Sequence, residues 1–156
     1  MRIPVTLLAS VGALMVTVDL KAWVDEPVGE LEGRWSVVTV TMNGVKATER
    51  VAGRRTITVH GNKMTVKPGV SVDGNGKVEP GNADGDEATF TLDPTKSPAQ
   101  INLTFGSGKN RLLVKGIYMV DKGELKVCYS PEGRPVDFAS AAGAGQTLFV
   151  AKRLKP

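Results

Sequence analysis

The chain has 156 residues, the size of a single domain with a buried core. Its formal net charge is +4, and the basic side chains are scattered rather than clustered, which argues against nucleic-acid binding. A single cysteine excludes an internal disulfide, and one cysteine with one histidine excludes a zinc site of the usual four ligands.

The first 22 residues have the layout of a secretory signal peptide. Met1-Arg2 precedes a mostly apolar run, Ile3 to Val18, that is too short for a comfortable membrane span. Ala22 offers a cleavage site, although Leu20 is larger than the residue preferred there, so an uncleaved anchor is the alternative. We therefore expect an exported protein, periplasmic or extracellular, with residues 23–30 as a linker. Membrane contact is expected only through the N-terminal segment, if it is retained.

The first half of the remaining chain shows the alternation of β-strands. Trp35–Met42 is rich in β-branched residues and ends at the turn signal Asn43-Gly44. Polar residues 46–53 are typical of a short helical turn or lid, and residues 55–67 predict a tight hairpin. Residues 68–86 are dominated by Gly, Asn, Asp and Pro, which predicts a long loop with at most one short strand near Lys77-Val78.

The second half continues the pattern and ends in a strand. The predicted strands are Glu87–Leu92, Ile101–Phe105, Arg111–Val120, Glu124–Tyr129 and Gln146–Leu154. A proline-fixed turn covers residues 93–98, and residues 130–145 are loop-like. Eight or so short strands without a helix of globular length predict an all-β fold, an antiparallel barrel or a sandwich.

The two ends of this region favour the barrel. Gly33-x-Trp35 opens the first strand and Arg153 ends the last, as in lipocalin-like barrels. Since the first and last strands are neighbours in such a barrel, we expect Arg153 to stack on Trp35 and close one end. A contact of this kind contributes about 1–2 kcal/mol. The alternative is an ordinary core tryptophan with an exposed terminal arginine. The sequence thus predicts an antiparallel lipocalin-like barrel of about eight strands over residues 31–156.

Seven stretches together resemble a domain family of unknown function that is expanded in planctomycete bacteria. They are Leu31–Trp35, Asp93-Pro94 with Ile101–Leu103, Gly116–Tyr118, Leu125–Tyr129, Arg134–Phe138, Gly143–Gly145 and Val150–Arg153. The similarity covers nearly the whole chain after the signal, in the same order and spacing. It implies a lipocalin-like, calycin-type barrel in an exported protein. Because the family has no established activity, the resemblance supplies no catalytic residues.

Cys128 is the main candidate for covalent chemistry. It would need a lowered thiolate pKa from a nearby basic group, for which Arg134 is the candidate, whereas a buried inert thiol is the ordinary alternative. Arg134 and Asp137 predict a local salt bridge that braces a loop over one barrel end, or charges presented to a ligand. With Tyr129 and Phe138 they form the set of candidate ligand-proximal or loop-bracing residues.

No motif supplies a metal site, a cofactor site or a catalytic set. Asn82, Asp84 and Asp86 have the spacing of the first calcium-loop ligands, but Glu87 stands where that loop needs glycine, so a solvated acidic loop is favoured. His60 adjoins a hairpin turn without a serine elbow to complete a triad.

Three functional hypotheses remain. The leading one is an exported, non-enzymatic barrel that binds a small hydrophobic molecule in a cavity above Trp35, or an envelope protein. The second is a solid barrel that acts as a structural or protein-interaction module of the cell envelope. The third is an enzyme that uses Cys128 with Arg134 or Asp137.

Overall fold

The computed structural model describes residues 29–72, 75 and 77–156. The predicted signal peptide and residues 23–28 of the predicted linker therefore lie outside the described residues. Residues 29–31 are helical and lead directly into the first strand. In the described ranges, no helix is long and apolar enough to cross a membrane.

After the helical residues 29–31, the described chain contains eleven strands and two short helices. The strands are β1 (Gly33–Met42), β2 (Val45–Lys46), β3 (Thr56–His60), β4 (Lys63–Lys67), β5 (Val70–Val72), β6 (Val78–Pro80), β7 (Asp86–Asp93), β8 (Ala99–Phe105), β9 (Leu112–Asp121), β10 (Glu124–Ser130) and β11 (Thr147–Arg153). Helix α1 (Glu49–Ala52) follows β2, and a 3₁₀ turn (Gly108–Asn110) precedes β9.

Eight of the strands close into a barrel. The order is β11-β10-β9-β8-β7-β4-β3-β1, every neighbouring pair is antiparallel, and β11 also pairs with β1. This pairing leaves the barrel wall without a free edge. The predicted antiparallel, lipocalin-like barrel is confirmed.

The barrel interior is filled by the apolar positions of the alternating strands. Trp35 and Ile101 are fully buried, and Leu103 and Leu125 are nearly so. Successive side chains of a strand point to opposite faces, so these residues face inward while their neighbours face solvent. The alternation seen in the sequence is thus the inside–outside alternation of the barrel wall.

The two ends of the barrel are closed differently. We call the end that holds Trp35 the tryptophan end; it includes the β3–β4 turn at Gly61 and the β9–β10 turn at Lys122-Gly123. We call the opposite end the capped end, because α1 and the small β5–β6 sheet lie across it. At this end Asn43 and Gly44 have φ angles of 49° and 81°, as a tight β1–β2 turn requires.

The described residues of the segment 68–86 contain more regular structure than their composition predicts. Two short strands, β5 and β6, pair with each other there, where at most one strand was expected. β7 then begins at Asp86, inside the predicted loop. The sequence did not indicate this strand pair because strands of three residues are too short to show an apolar–polar alternation.

Candidate functional site

Arg153 and Trp35 meet at the tryptophan end. The two residues are direct register partners in the β1–β11 pair, and Arg153 Cζ lies 4.0 Å from the centroid of the Trp35 ring. Arg153 also donates to the carbonyl oxygens of Glu30 at 2.5 Å and Glu32 at 2.7 Å, while Trp35 Nε1 donates to Leu31 O at 2.9 Å. The pair therefore joins the residues that precede β1 to the last strand, β11, and closes this end of the barrel.

Gly33 is part of the same arrangement. Its φ angle is 119°, and a Cβ added there would lie 3.2 Å from Arg153 Nη1. Glycine therefore serves two purposes, an unusual backbone angle and the space for the guanidinium. The spacing Gly-x-Trp places this space beside the indole on which Arg153 stacks.

Arg55 closes the capped end from inside. Its side chain is 1% exposed and donates to Val51 O of α1, to Gly69 O at 2.9 Å and, more weakly, to Glu79 O at 3.5 Å. Burial lowers the pKa of the guanidinium, and the charge of Asp86 opposes this shift. One buried cation thus joins α1 to the segment that carries β5 and β6.

One void inside the barrel is lined wholly by described residues, and it is small. It has a volume of about 20 Å³ and lies towards the capped end, lined mainly by apolar side chains that include Met64, Phe105, Tyr129 and Phe149. That is room for about one water molecule, whereas ligand pockets have volumes of about 300–1,000 Å³. The space lies away from Trp35, above which we had expected a cavity.

Tyr129 belongs to this interior cluster. Its ring centroid lies 6.0 Å from that of Phe105 and 6.3 Å from that of Phe149, and it stacks on the latter. Burial raises the pKa of its hydroxyl, and a hydrogen bond with Thr147 partly offsets this. The residue packs the core and remains a neutral phenol at physiological pH.

Cys128, the residue before Tyr129 on β10, faces the outside of the barrel wall. It is fully buried beneath the loop over residues 131–146, and its thiol donates to Ala139 O at 3.2 Å. Burial raises the pKa of the thiol to about 11, and the charge of Asp137 acts in the same direction. A nucleophilic cysteine needs the reverse shift, so this environment favours an inert thiol.

Arg134 does not form the ion pair that its spacing predicted. Its guanidinium donates to Gly116 O at 2.5 Å, Ile101 O at 3.1 Å and Asn102 Oδ1 at 2.7 Å. Within the described residues no ion pair joins it to Asp137, which is exposed. Arg134 instead braces the loop through two backbone carbonyls and the Asn102 side chain.

The remaining candidates are dispersed. Phe138 borders an open pocket of about 440 Å³ at the tryptophan end, together with Met119 and Pro98. The structure therefore does not gather Cys128, Tyr129, Arg134, Asp137 and Phe138 into one site: Tyr129 faces the interior and the others lie on or under the outer loop.

The polar residues considered for metal or acid–base chemistry have structural roles. His60 Nδ1 lies 2.8 Å from Glu32 Oε1, and Gly61 N donates to the other oxygen of the same carboxylate at 3.0 Å. Asn82 Oδ1 accepts from Asp84 N at 3.0 Å, as in an Asx turn. Across the described ranges, no three side chains of His, Cys, Asp or Glu converge on a possible metal position.

Sequence reasoning missed Arg55. A signal was present, since Arg55, Ile57 and Val59 alternate along one strand and therefore share its inward face. A charged residue in phase with two core residues indicates a buried cation.

Comparison of the chain with protein-family models, curated proteins and solved structures found no match. The resemblance to the planctomycete family therefore stays a prediction. What defines this chain is a closed, eight-stranded antiparallel barrel with an Arg–Trp pair at one end and a buried arginine at the other.

Proposed function

We propose that this chain is a non-enzymatic barrel with a solid core that acts through its outer surface as a protein-interaction module of the cell envelope. The observation that carries the proposal is the interior void of about 20 Å³. An apolar ligand as small as benzene needs about 150 Å³. The signal-peptide layout of residues 1–22 supports a function outside the cytoplasm.

The environment of Cys128 supports the non-enzymatic part of the proposal. Its thiol is protonated below a pKa of about 11 and lies under a loop, where a substrate has no access. Arg134, the candidate for activating this thiol, already donates three hydrogen bonds to other partners. The chemistry of covalent catalysis therefore has no support at the one residue that could supply a thiolate.

A ligand titration tests the solid core. Octanoate, benzene and the fluorescent probe anilinonaphthalene sulfonate should leave the melting temperature of the native protein unchanged, and the probe should stay dark. Phe149→Ala is the matched positive control, because this ring borders the existing void and its removal enlarges it towards the size that holds benzene. Saturable, stoichiometric binding of any of the three to the unaltered protein would overturn the proposal.

A second function, reversible binding of a small hydrophobic molecule, is favoured by one observation. The void is bordered by aromatic rings at the end that α1 caps, and Arg55 fastens the cap. If the cap opens for a ligand, Arg55→Met should increase probe binding at least tenfold while far-ultraviolet circular dichroism stays native. An Arg55→Met variant that is folded and as dark as the unaltered protein contradicts this second function.

A further inference from the structure

The positive charge of this chain is concentrated in its last third. Residues 108–156 contain nine Lys and Arg against four Asp and Glu, whereas residues 29–107 contain nine of each kind. Strands β9, β10 and β11 all lie in the last third. Three of these basic residues, Lys122, Lys152 and Lys155, lie together at the tryptophan end of the wall that these strands form with β1.

The register of this wall places its outward side chains in rows across four strands. The row nearest the tryptophan end consists of Ser36, Lys152, Glu124 and Asp121. The next row consists of Thr39, Val150, Lys126 and Met119. The third row, which includes Cys128 and Ile117, is buried under the loop over residues 131–146, so only the first two rows remain open.

The open rows combine apolar side chains with lysines. Met119 is 39% exposed, and Val38, which the β1 bulge pushes outward beside Thr39, is 42% exposed. Beside the first row lies an open groove of about 650 Å³, in which Lys122, Lys152 and Lys155 outnumber the acidic residues Asp121 and Glu124. None of these three lysines forms an ion pair with a described residue.

We propose that this wall binds a short, extended, acidic segment of a partner protein. We call it the basic face and define it by Lys122, Lys152 and Lys155 of the groove and by Val38, Val150 and Met119 of the second row. The proposal rests on the proposed function, for which it supplies the surface and the chemical class of partner. Carboxylates of the segment would lie in the groove and its apolar side chains on the second row.

The size of the basic face indicates a segment rather than a globular partner. Four strands spaced about 4.8 Å apart give a width of roughly 15 Å, so two open rows offer far less than the ~800 Å² per partner that stable globular complexes bury. An extended segment that runs parallel to the strands fits this narrow area. An exposed apolar centre bordered by unpaired charge is also the usual composition of a recognition surface.

The spacing of the rows predicts the pattern of the segment. Adjacent outward rows are two residues apart along each strand, or about 6.7 Å, which is also the distance between residues i and i+2 of an extended chain. A carboxylate at i and an apolar side chain at i+2 can thus meet the groove and the second row together. Asp121 and Glu124 also line the groove, so an acidic partner must place its carboxylates against the lysines and away from these two residues. A segment with spaced carboxylates can do this, whereas a uniformly anionic lipid surface cannot.

The test is a direct titration of the full chain with designed peptides. The probe is a fluorescein-labelled eight-residue peptide in which glutamate and leucine occupy alternate odd positions and serine the even ones. Fluorescence anisotropy should give saturable binding with a Kd in the micromolar range, weakening at least threefold between about 50 and 300 mM salt. Peptides with lysine for glutamate, or serine for leucine, should bind at least tenfold more weakly.

Matched variants locate the site. Lys152→Glu with Lys155→Glu should raise the Kd at least tenfold, whereas Lys109→Glu with Arg111→Glu, an equal charge change at the exposed capped end, should leave it within twofold. Met119→Ser should raise the Kd about threefold or more, and Leu112→Ser, which alters an apolar side chain that is 52% exposed at the capped end, should not.

Three outcomes would overturn the basic face as a docking site. These are equal effects of the two charge reversals, equal binding of the lysine peptide, and binding to phosphatidylglycerol vesicles without binding to the acidic peptide. The titration with anilinonaphthalene sulfonate tests the interior separately. If the peptide does not bind and this dye does not fluoresce, only the docking role of the basic face is overturned. If the dye binds in the interior, the proposed function is overturned and the peptide result still stands.

Discussion

Replacing Arg153 by alanine should destabilise the barrel by about 2 kcal/mol. The stacked guanidinium contributes about 0.5–1 kcal/mol through its contact with Trp35 at 4.0 Å, because Arg153 is exposed. Its hydrogen bonds to the carbonyls of Glu30 and Glu32 add about 0.5–1 kcal/mol each, at the lower end of the usual range for the same reason. For a domain of this size, such a loss lowers the melting temperature by roughly 4–8 °C.

Urea unfolding followed by circular dichroism measures this loss. Lys152→Ala is the control, because Lys152 is the exposed neighbour of Arg153 on the same strand and contacts no aromatic ring described here. Arg153→Lys keeps the charge but not the planar fork, so it should recover only part of the stability. Equal free energies of unfolding, within about 0.5 kcal/mol, for the two alanine variants would refute the reasoning.

Three further outcomes are expected. Arg134→Ala loses three hydrogen bonds that hold the outer loop, so it should lower the free energy of unfolding by about 2–3 kcal/mol. It should also make a bulky thiol reagent label Cys128 faster, and an unchanged labelling rate contradicts this. The thiol of Cys128 stays protonated up to a pKa of about 11 when folded and ionises near 9 when unfolded, so its contribution to stability is complete below pH 9 and is lost as the pH rises towards 11. Relative to Cys128→Ala, the unaltered protein should therefore lose stability between pH 9 and 11. If the free energies of unfolding of the two proteins run parallel over this pH range, the pKa shift of Cys128 is excluded. Gly116→Ala should prevent soluble folding, since its Cβ would lie 2.6 Å from Cys128 O and 2.9 Å from Tyr129 Cβ, whereas Gly133→Ala meets open space and should fold with an unchanged melting temperature.

The fold was accessible to sequence reasoning because each barrel strand is long enough to show alternation. Ile101, Leu103 and Phe105 define one face of β8 by sequence alone, and all three face the interior. Turn residues such as Asn43 and Gly44 fixed the connections, since their positive φ angles suit few other residues. Local chemistry therefore determined the strands and their order along the chain.

The arrangement of the candidate residues depends on contacts between distant segments. Arg134 and Asp137 are close in sequence, yet Arg134 binds carbonyls of β8 and β9 that no local spacing indicates. The burial of Cys128 likewise depends on how the loop folds back over β10. The volume of the interior is a sum over many side chains, so a barrel pattern alone could not distinguish a hollow barrel from a solid one.

The pairing of β1 with β11 also determines when this protein can fold. Until the last strand has left the ribosome, β1 has β3 as its one long neighbour, and the inward faces of Val37 and Val40 have no opposite wall to pack on. Without β11 the other strands therefore form an open sheet with a free edge. Closure has to await β11 and joins strands that are far apart in the sequence, which predicts slow, cooperative folding and an aggregation-prone state before the barrel closes.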